Sequence, residues 1–310
     1  MDRTILGHTG LEVSVMGLGG GGHSRVGKGT GHSDDDAIAI IRQALDAGIN
    51  FIDTAELYYT EKLVGQAIEG RDRQSIVIST KKTMGHKLTE SKILASLDAS
   101  LANLGLDYID IYNFHAVTLK HYDSVVRDML PVFQEARDRG KIRFIGITEF
   151  FDEDPSHEML QRAMEDDCWD VIMTGFNILN QSARDRVLKK AIEKNIGVLV
   201  MFAVRNALSN PEYLRKVIHD LVAKGKLDPS TVDLDDPLGF LVHDGGASNI
   251  TNAAYRFCRQ EPGTHVILSG TGNPSHLDEN IESFSHPPLP QEDVDRLRSM
   301  FEGIDSITGE

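Results

Sequence analysis

Short apolar runs and longer amphipathic stretches alternate along nearly the whole 310-residue chain. The runs lie at 13–19, 49–53, 75–80, 108–113, 144–148, 171–174, 197–202 and 266–269, and each reads as a buried strand. Between them, 61–69, 89–104, 124–139, 157–166, 182–194 and 250–260 carry helical periodicity. Ser33 followed by Asp34, Asp35 and Asp36 marks a further helix start, with a capping hydroxyl and three acids on the first turn. Ile38, Ile41, Ala44 and Leu45 continue that helix until Gly48 stops it. Eight β/α units in succession predict an α/β fold, a closed (β/α)8 TIM barrel, with 1–310 as one domain.

Residues 4–13 hold two β-prone runs around Gly7 and Gly10, which predicts an N-terminal β-hairpin. A helix beginning at Pro274 follows the last strand, and a final C-terminal helix over 291–301 closes or flanks the barrel. The segment 205–249 breaks the rhythm. It carries Pro211, Pro229, Pro237, the acidic run 233–236 and Gly245-Gly246, with helical character over 212–224. A connection this long after the seventh strand is expected to be a partly ordered lid that holds substrate contacts.

Composition narrows the class. Hydrophobic residues make up 40% and charged residues 25%, as in an ordinary globular chain. A net charge of -15 repels phosphate backbones, so nucleic acid is not expected as a partner. No apolar run approaches the roughly 20 residues that span a bilayer, so no membrane association is expected. Cys168 and Cys258 have no metal-like spacing, and no apolar leader follows Met1, so a cytoplasmic setting without a metal site is expected.

Chemistry in such a barrel sits where the strands end at their carboxyl side. There the chain places Asp53 and Tyr58 after the second strand, Lys81 or Lys82 after the third, and His115 after the fourth. Lys81 is preferred because it directly follows Ser79-Thr80. A buried Asp53 needs a cationic or hydrogen-bonding partner. Paired with it, the Lys81 ammonium is expected to lower the Tyr58 phenol from about 10 and make it a proton donor and acceptor. His115 would orient a substrate oxygen. The glycines of Gly17-Leu18-Gly19-Gly20-Gly21-Gly22 do not open a helix directly, so a dinucleotide fingerprint of the open-sheet type fails. Gly19 and its neighbours either bring backbone close to a ligand or form a turn.

At this point the chain resembles the aldo-keto reductases over nearly its whole length. The motifs are Asn50-Phe-Ile-Asp53-Thr-Ala-x-x-Tyr58, Ser79-Thr80-Lys81, Asp110-Ile-Tyr-Asn-Phe-His115, Gly140-Lys-Ile-Arg-Phe-Ile-Gly146 and Gly272-Asn-Pro-x-x-Leu-x-Glu-Asn280. The resemblance implies NAD(P)-linked interconversion of carbonyls and alcohols, with Asp53, Tyr58, Lys81 and His115 as the catalytic tetrad. It implies a nicotinamide site at Thr148 and Glu149, where relatives carry Ser-Asn, and at Met173, where they carry Gln. Phe202 matches the aromatic on the nicotinamide face. Arg205 is read either as a pyrophosphate ligand or as a loop salt bridge. Ser269, Gly270, Thr271, His276 and Asn280 fall on the adenosine-binding stretch, with Asn280 matching the residue that holds adenine. Gly270 and His276 stand where NADP-type members carry Lys and Arg, which leaves NADH or NADPH open as the cofactor.

The expected activity is therefore an oxidoreductase acting on an aldehyde, ketone or sugar hydroxyl. Two alternatives remain: a Schiff-base lyase using Lys81, and a nucleotide-binding sensor or regulatory subunit with little turnover.

Overall fold

A computed structural model describes residues 1–84 and 88–310. Strands β1 (Arg3–Ile5) and β2 (Glu12–Ser14) form the antiparallel hairpin. Strands β3 (Met16–Gly19), β4 (Phe51–Asp53), β5 (Val77–Thr83), β6 (Ile109–Val117), β7 (Ile142–Glu149), β8 (Val171–Gly175), β9 (Gly197–Met201) and β10 (Val266–Ser269) are parallel. They follow one another around a closed barrel, and β10 pairs back onto β3. The eight-unit barrel read from the sequence is the fold.

The predicted strand over 13–19 divides in two. Ser14 ends the hairpin, and its hydroxyl donates to the Met16 carbonyl at 2.7 Å. Asn50 staples the two parts: its side-chain oxygen accepts from Ser14 N–H at 2.6 Å and its amide donates to the Glu12 carbonyl at 2.9 Å. Leu6, Leu11 and Val13 then pack with Phe51, Val77, Val171 and Val266, the first residues of their strands, and so plug the amino-terminal end of the barrel.

Alternation along the strands decides what faces inward. Phe51, Val77 and Ile111 belong to the barrel interior, whereas Ile52, Ile78, Tyr112 and Phe114 pack outward with the helices. The same parity carries Asp53, Ser79, Lys81, Asn113 and His115 to the inner face near the carboxyl ends. Strands β5 and β6 run farther than the apolar pattern predicts, since Lys81 pairs with Asn113 and Thr83 with His115. Polar residues there remain in strand because the neighbouring strand continues beside them.

Helix Asp34–Asp46 starts as predicted, with Ser33 and Asp36 in a reciprocal capping box. The segment 205–249 is folded rather than loose. Helices Asn206–Ser209 and Pro211–Ala223 bury Leu208, Leu214, Ile218 and Leu221. No helix among the described residues is long and apolar enough to cross a membrane.

Candidate active site

Lys81 is fully buried, and its ammonium donates to Asp53 at 2.5 Å and to the Thr54 carbonyl at 2.8 Å. The second Asp53 oxygen accepts from the Ser79 hydroxyl at 2.9 Å. The Lys81 ammonium also lies 5.0 Å from the centre of the Tyr58 ring. Tyr58 Oη sits 3.2 Å from His115 Nε2, with the two rings edge to face. The four residues expected to share a site do share one. Lys82, with the opposite parity, turns outward to Glu56 at 2.6 Å.

Burial sets the proton affinities here. It pushes Asp53 up from the usual carboxylate range, against the opposing pull of Lys81 and Ser79. It also raises the Tyr58 phenol, and the Lys81 charge offsets only part of that rise. The expected net lowering of Tyr58 is therefore reversed: in this protein the phenol is held protonated more firmly than in water. Burial and the nearby Lys81 charge push His115 down to about 3, so the imidazole is neutral. Its Nδ1 is buried without a hydrogen-bond partner.

Two contacts that the sequence did not reveal aim Tyr58. Gly21 packs flat on the phenol ring, where a Cβ would lie 2.5 Å from the ring carbons. The turn Glu56–Tyr58 is braced through Glu56, whose carboxylate accepts from Lys82 at 2.6 Å, from Thr83 N–H at 2.7 Å and from the Ser96 hydroxyl. The opposite charges of Glu56 and Lys82 at adjacent strand ends were the available signal. The glycine contact had none.

A cleft of about 1310 Å³ opens beside Tyr58 and Asp53 and runs to Asn280. Gly19, Phe202, Arg205, Gly270, Thr271, His276 and Asn280 all line it. Helix Pro274–Ser285 begins at the cleft, with Asn273 capping Ser275 N–H, and turns His276, Asn280 and Ser283 toward it. Ser269 lies behind this wall and bonds Tyr255 at 2.9 Å and the Asn280 amide at 3.0 Å. Arg205 is clamped between Asp152 at 2.5 Å and Glu310 at 3.1 Å, with its guanidinium 3.8 Å from the centre of the Phe202 ring. It thus makes the loop salt bridge while still forming part of the cleft wall.

Thr148 and Glu149 are placed differently from the expectation. Thr148 Oγ1 accepts from Ala116 N–H at 2.7 Å and fixes the backbone just after His115, where Ala116 adopts φ 52°. Glu149 is turned into the protein. It accepts from Gly175 N–H at 2.7 Å and from Thr174 at 3.0 Å, and it contacts His157 Nδ1 at 2.9 Å. Both the Glu149 and His157 side chains are completely inaccessible. A carboxylate buried beside apolar strands needs these partners, and they leave it no face toward the cleft. His157 has a left-handed backbone and no sequence signature that would have revealed the pairing.

The aldo/keto reductase family model matches residues 15–302. The chain belongs to this family. It is 36% identical to L-galactose dehydrogenase of Arabidopsis thaliana over 157 residues, a match spanning 48% of each chain and so about half of that relative. It is 30% identical to the NADH-specific methylglyoxal reductase of Escherichia coli over 235 residues, covering 67% of this chain and 69% of the other. Aldo-keto reductase YhdN of Bacillus subtilis is 26% identical across 97% of this chain and 94% of its own. The fold matches the holo form of aldo-keto reductase AKR11C1 from Bacillus halodurans with a TM-score of 0.74, at 22% identity, over 97% and 96% of the chains. Family membership and these relatives mark the protein as a carbonyl/alcohol oxidoreductase of a family that uses nicotinamide cofactors.

Most of the cleft suits such a cofactor as an aldo-keto reductase would hold it. Gly19 and Gly270 bring two loops so close that a Cβ at Gly270 would stand 3.1 Å from the Gly19 carbonyl, and a capped helix N-terminus faces the same space. The amide end differs. Neither Glu149 nor Met173 offers an amide partner there, since one is committed elsewhere and the other is a thioether.

Proposed function

We propose that this aldo-keto reductase interconverts a carbonyl (an aldehyde, ketone or sugar) and its alcohol with NAD(P), and that Tyr58 is its general acid and base. The observation that carries this reading is the convergence of Lys81, His115 and Asp53 around one half-buried phenol at the edge of a cleft of dinucleotide size. The nicotinamide cofactor, when bound, supplies or accepts the hydride. Gly19, Phe202, Arg205, Gly270, Thr271, His276 and Asn280 would hold it along the cleft, with Ser269 supporting Asn280 from behind.

The chain's own residues handle the proton. Tyr58 holds it on Oη and donates it to the carbonyl oxygen during reduction. Neutral His115 lies beside Oη, where its ring can orient that oxygen without competing as an acid. Lys81 stabilises the phenolate left behind, and Asp53 keeps Lys81 charged and in place. In the alcohol-oxidising direction the same phenolate takes the proton back. The 2.5 Å contact between Lys81 and Asp53 argues against the lyase alternative, because a paired ammonium is not a free amine.

Gly270 and His276 provide no Lys or Arg for a 2′-phosphate, and Glu279 and Glu282 line the same part of the cleft. Like charges there disfavour NADPH, and the Escherichia coli relative is named NADH-specific. A small-molecule carbonyl is the expected substrate, and the free thiols of Cys168 and Cys258 suit a cytoplasmic setting. Titration of the protein with each reduced nucleotide, followed by a panel of aldehydes, ketones and sugars, tests both parts. Tighter NADH binding and carbonyl-dependent oxidation of the nucleotide are expected. Binding without turnover on any carbonyl would instead favour the sensor reading, which the diverted Glu149 keeps open.

A further inference from the structure

Behind the Asp53–Lys81 pair lie two polar residues of the barrel interior: Ser79, which donates to Asp53, and Asn113, which has no part in the chemistry described so far. Ser79 and Asn113 are completely buried. Asn113 lies two residues before His115 and shares its inward parity. Its amide nitrogen stands 3.0 Å from the Ser79 hydroxyl and 3.0 Å from the Thr80 carbonyl. A carbonyl only accepts, so the group facing Thr80 must be the NH2, and this fixes the orientation of the amide. Both amide hydrogens are then used. Ser79 Oγ receives one of them, which leaves the single hydroxyl hydrogen of Ser79 to point at Asp53, 2.9 Å away.

The arrangement carries a cost that a merely space-filling residue would avoid. Asn113 Oδ1 has no partner, and it lies so near Gly146 that a Cβ there would come within 2.0 Å of it. An orphaned buried acceptor is unfavourable, and a leucine of similar volume would not create one. What the asparagine adds is its two donors.

We propose that Asn113 is a positioning residue: through Ser79 it directs a hydroxyl hydrogen permanently at Asp53, and so holds the Asp53–Lys81 pair charged beneath Tyr58. This rests on Tyr58 being the acid and base. Asp53 sits between two donors of different kinds, the Lys81 ammonium on one oxygen and the ordered Ser79 hydroxyl on the other. Burial works against its ionised form, and these two donors oppose that effect. Without the ordered hydroxyl, the potential at Tyr58 becomes more negative and its proton is held more tightly. The groups that face this network from neighbouring elements are Lys81 of β5, His115 of β6 and Arg25 of the loop after β3, whose charge also reaches Tyr58.

The test is the pH profile of kcat for alcohol oxidation, where activity rises as Tyr58 becomes a base. Asn113→Leu and Ser79→Ala are each expected to move the rising limb to higher pH by about half a unit, with nucleotide affinity unchanged. The double variant should move it no farther than Ser79→Ala alone, because Asn113 acts through Ser79. Ser79→Ala removes one oxygen and leaves Asn113 in place, so the limb stays readable even if Asn113→Leu does not fold. A limb that stays at the parental pH in an active Ser79→Ala variant, or shifts that add in the double variant, overturns the relay while leaving the function standing. A parental protein without nucleotide-dependent turnover overturns the functional reading, and the relay with it.

Discussion

Gly21 and the Tyr58 ring are in face contact, and the space that any Cβ at position 21 would need is already filled by the phenol. The glycine-rich loop after β3 therefore acts on the Tyr58 ring directly, in addition to lining the cleft. Gly21→Ala is expected to push the ring aside and to lower kcat by about 10²-fold, the scale of loss that follows a displacement of roughly 1 Å at a reacting group. Thermal denaturation and nucleotide titration check that the fold and the cleft survive. Unchanged kcat would mean that the ring position is not set from this side.

Glu56 makes a second prediction from the other side of the turn. Burial pushes its carboxyl up, but Lys82, Ser96 and the Thr83 N–H outweigh that and hold it below the usual glutamate range. A lowered folded-state value means that this contribution is fully present above the unfolded value near 4.5 and is lost as pH falls through the lower folded one. Glu56→Gln should cost about 1–2 kcal/mol at neutral pH and flatten the stability profile on the acid side. Denaturant unfolding of both proteins across that range measures it. Equal stability at neutral pH would show that the brace contributes nothing.

His115 should be silent as a titrating group. With its imidazole pushed down to about 3, it stays neutral through the range where an ordinary histidine changes charge. The unfolded chain takes up that proton near pH 6.5 and the folded chain does not, so stability falls as pH drops from 6.5 toward 3, by about 1.4 kcal/mol per unit. His115→Gln should remove this slope. Ring resonances of His115 followed by NMR should show no titration between about pH 5 and 8, and an inflection near 6.5 would contradict the burial argument.

Much of this site was legible because strand parity is a simple rule. Asp53, Lys81 and His115 are polar residues at inward positions on three successive strands, and a barrel must bring such residues together. The same parity separates Lys81 from Lys82. What parity cannot supply is the balance of large opposing effects. The Lys81 charge suggested a lowered phenol, yet burial of the same ring wins. Glu149 shows the other limit: it stands at the end of β7, but whether it faces the cleft depends on His157, eight residues on, in a left-handed conformation with no sequence signal. Arg205 was read either as a pyrophosphate ligand or as a loop salt bridge, and its ties to Asp152 and Glu310 join residues far apart in the chain.

The proposed proton transfer turns on Tyr58. Tyr58→Phe removes one oxygen, keeps the ring against Gly21, and leaves the lining of the cleft otherwise intact. Its kcat for carbonyl reduction should fall by about 10²–10⁴-fold while nucleotide binding holds at the parental level. Turnover at the parental rate in this variant, with the same carbonyl and the same nucleotide, would contradict the assignment of Tyr58 as the acid and base.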